Sequence, residues 1–223
     1  MIKKNINKIE GVLFDLDGTL LDTVPDLGYA LNLLREEHHL PPLPLKDIRS
    51  IATLGSVAMI KIALDLDKTA PQFHAVRERF LALYTAHLDK HTTFFPGIEE
   101  VLSYLDQKNI PWGIVTNKLK IHTHALLKAL DYHHRPACIL CGDSLPTYKP
   151  DPAPILHACE LIKKAPEHCL YVGDAETDVM ASKAAGTQSI VALYGYIGEK
   201  ENAYLWQADG YIEKPLDLMN WLA

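Results

Sequence analysis

The sequence predicts an α/β fold, a doubly wound, Rossmann-like parallel sheet carrying an inserted all-helical segment. Three observations predict it. Five short apolar runs, at 11–14, 112–115, 137–140, 169–172 and 189–193, read as strands buried on both faces. Stretches with helical spacing lie between the later runs, the alternation that builds βαβ units. Residues 23–91 break that alternation, with helical patterns and no strand.

Taken in order, the first run ends in Asp15-Leu16-Asp17-Gly18-Thr19-Leu20. In the helical segment, Leu27, Ala30, Leu31 and Leu34 form one apolar stripe behind Pro25, a residue suited to a first helical turn. Phe73, Val76, Phe80, Leu83 and Tyr84 form another behind Pro71, and Pro41-Pro42-Leu43-Pro44 reads as a turn between helices. Phe94-Phe95-Pro96-Gly97 marks the return to the sheet, with a hinge in it, and Ile98, Val101, Leu102 and Leu105 then recur at i, i+3, i+4 and i+7. The second run ends in Thr116-Asn117-Lys118. Lys149-Pro150-Asp151-Pro152 follows the third, and Ile155, Cys159 and Ile162 line the next helix. The fourth run ends in Gly173-Asp174, with Asp178 four residues beyond Asp174. The expected division is residues 1–22 and 92–223 as the α/β core and 23–91 as the helical insertion.

Composition narrows the function classes. The 223 residues hold 22 Lys and Arg against 28 Asp and Glu, a formal charge of −6 that argues against nucleic acid as a partner. Hydrophobic residues at 48% with 22% charged suit a globular chain with a substantial core, not a disordered one. No apolar run approaches the roughly 20 residues that span a bilayer, so no membrane partner is expected. The basic start (Lys3, Lys4, Lys8) precedes an apolar run too short for a signal peptide, and four cysteines make no disulfide framework. A cytoplasmic protein is expected; the sequence leaves the oligomeric state open.

In open parallel sheets, ligands bind beyond the carboxyl ends of the strands. The residues just past the strands converge there: Asp15, Asp17, Thr116, Asn117, Lys149, Asp174 and Asp178. Asp15 and Asp174 offer hard anionic oxygens suited to Mg²⁺, which also takes a phosphate oxygen. Lys149 supplies opposing positive charge to a phosphate, the Thr116 hydroxyl and Asn117 add donors, and the N–H groups around Gly18 and Thr19 are expected to form an anion nest. Asp15 is placed to attack phosphorus and form an aspartyl-phosphate. Asp17 is placed to protonate the leaving oxygen and then deprotonate the attacking water, and Asp178 to orient metal-bound water.

These ordered motifs, over nearly the whole chain, resemble the haloacid dehalogenase superfamily of phosphatases. The resemblance implies a nucleophile at Asp15, an acid/base at Asp17, and Mg²⁺ held by Asp15, the Asp17 backbone carbonyl and Asp174, with residues 23–91 as the family's helical cap. Phe14-Asp15 through Asp22-Thr23-Val24-Pro25-Asp26-Leu27, Val115-Thr116-Asn117-Lys118 and Tyr194-Gly195-Tyr196 are similar to phosphoglycolate phosphatases. Trp112-Gly113, His157-Ala158-Cys159 and Tyr194-Gly195-Tyr196-Ile197 with Asn202, Trp206 and Ala208-Asp209 are similar to N-acetylmuramic acid 6-phosphate phosphatases. Leu54-Gly55-Ser56 has one glycine where phosphoglycolate phosphatases often carry Gly-x-Gly. The implied partner is a small phosphorylated metabolite, with either substrate open and a sugar phosphomutase as the rival on the same core.

Other features read as structural. Cys138 and Cys141 lack the second pair a zinc site wants and are expected to be buried, inert thiols. His122 and His124 diverge on a helix, His38-His39 and His133-His134 are expected to be exposed, and Arg49 and Lys61 read as ordinary helix charges.

Overall fold

The computed structural model describes residues 8–198 and 201–222; Lys3 and Lys4 of the basic start lie outside them. The strands are β1 (Gly11–Phe14), β2 (Leu21–Asp22), β3 (Thr93–Phe94), β4 (Trp112–Val115), β5 (Cys138–Leu140), β6 (Cys169–Gly173), β7 (Gln188–Ala192) and β8 (Gly210–Ile212). The helices are α1 (Val24–Glu37), α2 (Leu45–Arg49), α3 (Gly55–Leu64), α4 (Phe73–His87), α5 (Ile98–Gln107), α6 (Lys120–Ala129), α7 (Ala153–Ile162) and α8 (Glu176–Ala185). No described helix is long and apolar enough to cross a membrane.

The chain divides into two compact units. The first comprises residues 1–21, 94–195 and 202–223; the second comprises 22–93 and 196–201. The first is built on a six-stranded, all-parallel sheet in the order β5-β4-β1-β6-β7-β8. Chain direction across the sheet reverses at β1, so the topological switch point lies between β1 and β6, where Phe14 faces Val172 in register. The strands expected from sequence are present to within one or two residues. β8 goes beyond those five runs, since a three-residue strand beginning with Gly carries almost no periodic signal.

Burial follows the apolar pattern. Ile98, Val101, Leu102 and Leu105 of α5 are all buried, and α7 buries Ile155, Cys159 and Ile162 in a core cluster with Leu13, Val115 and Tyr171. All four cysteines are free and buried, Cys138 and Cys141 as the sequence predicts. His38, His39, His133 and His134 are exposed.

The second unit holds α1 to α4 and is organised by buried polar groups as much as by its apolar stripes. The Asn32 amide brackets the proline-rich turn, donating to the Leu43 carbonyl at 3.0 Å and accepting the Leu43 N–H at 2.8 Å. Residues 196–201 belong here rather than with the sheet. The Tyr196 hydroxyl accepts the Thr23 N–H at 2.6 Å and the Val24 N–H at 3.1 Å, and donates to Asp22 at 2.9 Å. It thereby satisfies two donors at the start of α1 that the helix itself leaves unpaired.

Asp26, fully buried on α1, receives the His91 N–H, the Thr92 N–H and the Thr92 hydroxyl at 2.8 to 3.0 Å, with His91 Nδ1 at 2.9 Å. Burial alone would raise its pKa, but the hydrogen bonds from His91 and Thr92 more than offset that and hold it below 3.8. A carboxylate with a lowered folded pKa adds stability above its unfolded pKa, and that stability is lost as pH falls through the folded one. Asp26→Ala leaves buried N–H groups unmet, and should cost about 2–4 kcal/mol at pH 7. The gap to wild type in a thermal unfolding series should stay constant down to about pH 4 and shrink only below it.

Candidate active site

The site forms at the switch point. The Asp15 N–H donates to the Val172 carbonyl at 2.9 Å, extending the β1–β6 ladder by one bond and fixing the backbone that carries the Asp15 carboxylate. The chain then coils tightly. The Leu16 carbonyl accepts N–H groups from Leu20 at 3.0 Å and Leu21 at 2.9 Å, which needs the left-handed turn at Gly18, φ 82°. The expected anion nest is not formed as read: the Gly18 N–H donates to the Leu21 carbonyl at 2.9 Å and the Thr19 N–H turns toward the Leu16 carbonyl at 3.4 Å. Closing the tight turn uses those donors, so Gly18 serves the loop's conformation rather than offering a free N–H.

Lys149 is the hub. Its side chain is 2% exposed, and Nζ lies 2.7 Å from the Tyr171 hydroxyl, 2.7 Å from Asp178 Oδ1 and 3.0 Å from Asp15 Oδ1. Burial works against the ammonium, but Asp15 and Asp178 outweigh it and hold the Lys149 pKa above its ordinary value. Asn117 fixes the lysine's backbone, its Oδ1 accepting the Lys149 N–H at 3.0 Å and its Nδ2 donating to the Lys149 carbonyl at 2.9 Å. The amide expected to meet phosphate thus clamps the residue that carries the charge. Thr116, buried on the same strand end, accepts the Lys118 N–H at its hydroxyl at 3.2 Å.

The other carboxylates are held by different means. Asp17 receives Lys118 Nζ on both oxygens, at 3.0 and 3.2 Å. Asp178 Oδ2 accepts the Ala175 N–H at 3.0 Å, bracing the start of α8, while Oδ1 faces Lys149. Asp178 occupies space that only a glycine at 173 leaves open, since a Cβ there would lie 2.4 Å from its Cγ. A Cβ on Gly195 would lie 2.4 Å from the Cβ of Asp174.

Asp15, Asp174 and Asp178, all buried, turn carboxylate oxygens to within 4.8 Å of one another. The Lys149 ammonium faces two of these three carboxylates, Asp15 and Asp178. Asp15 Oδ1 has no hydrogen-bond partner, and Lys149 Nζ stands 3.0 Å from it as an ion pair. An all-oxygen, anionic set with an orphaned oxygen fits a hard divalent cation. Asp17 reaches such an ion by its backbone carbonyl in the sequence reading, and its carboxylate goes to Lys118 instead.

A sequence profile described as haloacid dehalogenase-like hydrolase matches residues 12–192. The chain belongs to the haloacid dehalogenase-like hydrolase family. Among curated relatives of this hydrolase, a phosphoglycolate phosphatase of Xanthomonas campestris pv. campestris is 40% identical over 93% of each chain. An N-acetylmuramic acid 6-phosphate phosphatase of Pseudomonas aeruginosa is 34% identical over 96% of this chain and 95% of its own. A crystal structure named as a predicted phosphoglycolate phosphatase of Haemophilus somnus superposes with TM-score 0.86 at 26% identity, covering 97% of this chain and 99% of that one.

Two residues of this haloacid dehalogenase-like site escaped the sequence reading. Lys118 stands beside Thr116 and Asn117 in sequence, and nothing local marks its ammonium as the partner of Asp17. Tyr171 was absorbed into an apolar strand; its one signal was a phenol in a buried run three residues before Asp174.

Burial pushes the Asp15 carboxyl up to about 6, against 3.8 ordinarily, with Asp178 and Asp17 adding to the rise and Lys149 opposing it. A carboxyl that binds its proton more tightly when folded loses stability as it ionises, so this cost begins near pH 4 and is complete above about pH 6. Asp15→Asn removes it. In metal-free buffer at pH 7.5 the variant should be more stable than wild type by on the order of 2–3 kcal/mol. Thermal unfolding across pH should show that gain vanishing toward pH 4.

Proposed function

We propose that this hydrolase is a Mg²⁺-dependent phosphatase that cleaves a small phosphate monoester through an aspartyl-phosphate on Asp15, with phosphoglycolate as the first candidate substrate. The observation that carries the reading is Asp15 at the switch point, 3.0 Å from a buried lysine and two residues before a second carboxylate.

In the first step an Asp15 oxygen attacks phosphorus and the P–O bond to the substrate's alkoxide breaks. Asp17 supplies the proton that makes the alkoxide a neutral leaving group. In the second step Asp17 takes a proton from water, the water oxygen attacks phosphorus, and the acyl-phosphate bond breaks to return Asp15 as carboxylate. Lys149 faces Asp15 throughout and offsets charge on the phosphoryl oxygens. The Thr116 hydroxyl is a candidate neutral donor to them, and Asn117 acts through the backbone of Lys149. Mg²⁺, held by Asp15, Asp174 and the Asp17 carbonyl, would supply the remaining positive charge, with Asp178 bracing that side of the site.

Phosphoglycolate is placed first because the X. campestris relative carries that name at 40% identity. The P. aeruginosa relative supports N-acetylmuramic acid 6-phosphate as the second reading. A phosphate-release screen of 2-phosphoglycolate, N-acetylmuramic acid 6-phosphate and hexose phosphates should give one dominant substrate. Free phosphate as product separates hydrolysis from transfer within a sugar phosphate.

With that substrate, EDTA should abolish turnover and Mg²⁺ should restore it. Asp15→Asn should fall below detection, and Asp17→Asn should lose about 10²–10⁴-fold in kcat. Full activity in Asp15→Asn would end the covalent mechanism, and turnover indifferent to EDTA would end the metal assignment.

A further inference from the structure

Tyr171 lies within β6, between Leu170 and Val172, and its ring is part of the core cluster with Leu13, Val115 and Ala181. Only its hydroxyl reaches the polar rim. There it accepts from Lys149 Nζ at 2.7 Å and donates to the Val115 carbonyl at 2.8 Å, with Asp178 Oδ1 at 3.1 Å. Val115 is the last residue of β4, so the sheet itself pins this oxygen. Burial, reinforced by the negative charge of Asp178 and Asp15, pushes the phenol pKa well above 10, so its proton stays in place.

An ammonium carries three N–H bonds set tetrahedrally about the Cε–Nζ axis. A lysine with a single acidic partner can spin about that axis and swing on its four-carbon stem. Here two directed bonds, to the Tyr171 oxygen and to Asp178 Oδ1, stop the rotation and leave one direction for the third N–H. Asp15 Oδ1 lies 3.0 Å from Nζ and has no hydrogen-bond partner. We propose that Tyr171 is a positioning residue that, with Asp178, locks the Lys149 ammonium, holding its charge beside Asp15 and leaving its remaining N–H for the phosphoryl oxygens there. The catalytic consequence rests on the aspartyl-phosphate reading; the locking itself does not.

Tyr171→Phe is the informative substitution, because it removes the hydroxyl and keeps the ring that fills the core. Thermal unfolding confirms that the variant is folded. Two readouts then apply: steady-state kinetics with the best substrate of the screen, and the ¹⁵N–¹H signal of the Lys149 ammonium in the metal-free protein, assigned through its loss in Lys149→Met. Wild type should show a narrow, slowly exchanging ammonium signal, and Tyr171→Phe a broadened or missing one. The variant's kcat should fall about 10- to 100-fold with KM within about threefold, the scale expected of a misaligned catalytic group. An unchanged ammonium signal overturns the proposal whatever the kinetics do. So does a changed signal with wild-type kcat, because the lock would then serve no chemistry. Wild-type protein inactive on every phosphate monoester would instead defeat the phosphatase reading, and the ammonium signal would still decide whether Tyr171 holds Lys149.

Discussion

A single buried ammonium sets the arrangement around it. Lys149 comes from the loop after β5, yet it reaches the ends of β1 and β6 and is held there by Asp15, Asp178 and Tyr171. Each partner enters from a different element, so one charge ties three separated pieces of chain to one point. Removing it would leave two buried carboxylates facing each other without compensation, a loss on the order of 3–5 kcal/mol. Asn117 spends both ends of its side chain on the Lys149 backbone, which shows how much of the rim is given over to placing that residue.

The same centre is deliberately out of electrostatic balance. Three carboxylates stand together, two of them on one lysine, and Asp15 is pushed to about 6 by burial that Lys149 does not fully offset. The buried, raised Asp15 carboxyl costs the fold stability, and the all-oxygen anionic set around it is of the kind that fits a divalent cation. The Asp17 carboxylate is organised differently. Asp17 has its own lysine in Lys118, so the two aspartates of one short motif stand in distinct environments despite lying two residues apart. Separate environments are what let neighbouring carboxyl groups take different parts in one reaction. The second unit shows the same use of buried polar groups for construction: Asp26 gathers the return segment and Tyr196 gathers the start of α1.

The sequence by itself determined five strands of the parallel sheet and the helical character of the segment between the first two of them, because burial on two faces and amphipathic spacing are local, periodic signals. It also named Asp15, Asp17, Lys149, Asp174 and Asp178, since polar side chains that interrupt apolar strand ends stand out one residue at a time. Only the tertiary structure decided who partners whom. Asn117 clamps the Lys149 backbone, Gly18 turns its N–H into the loop, residues 196–201 join the helical unit, Lys118 pairs with Asp17 and Tyr171 meets Lys149. Those outcomes depend on sequence separations as large as 174 residues and on hydrogen-bond directions that no local pattern encodes. Tyr171 is the plainest case: a strand's apolar pattern predicts its ring, while the use of its hydroxyl follows from where the β5 loop happens to bring a lysine.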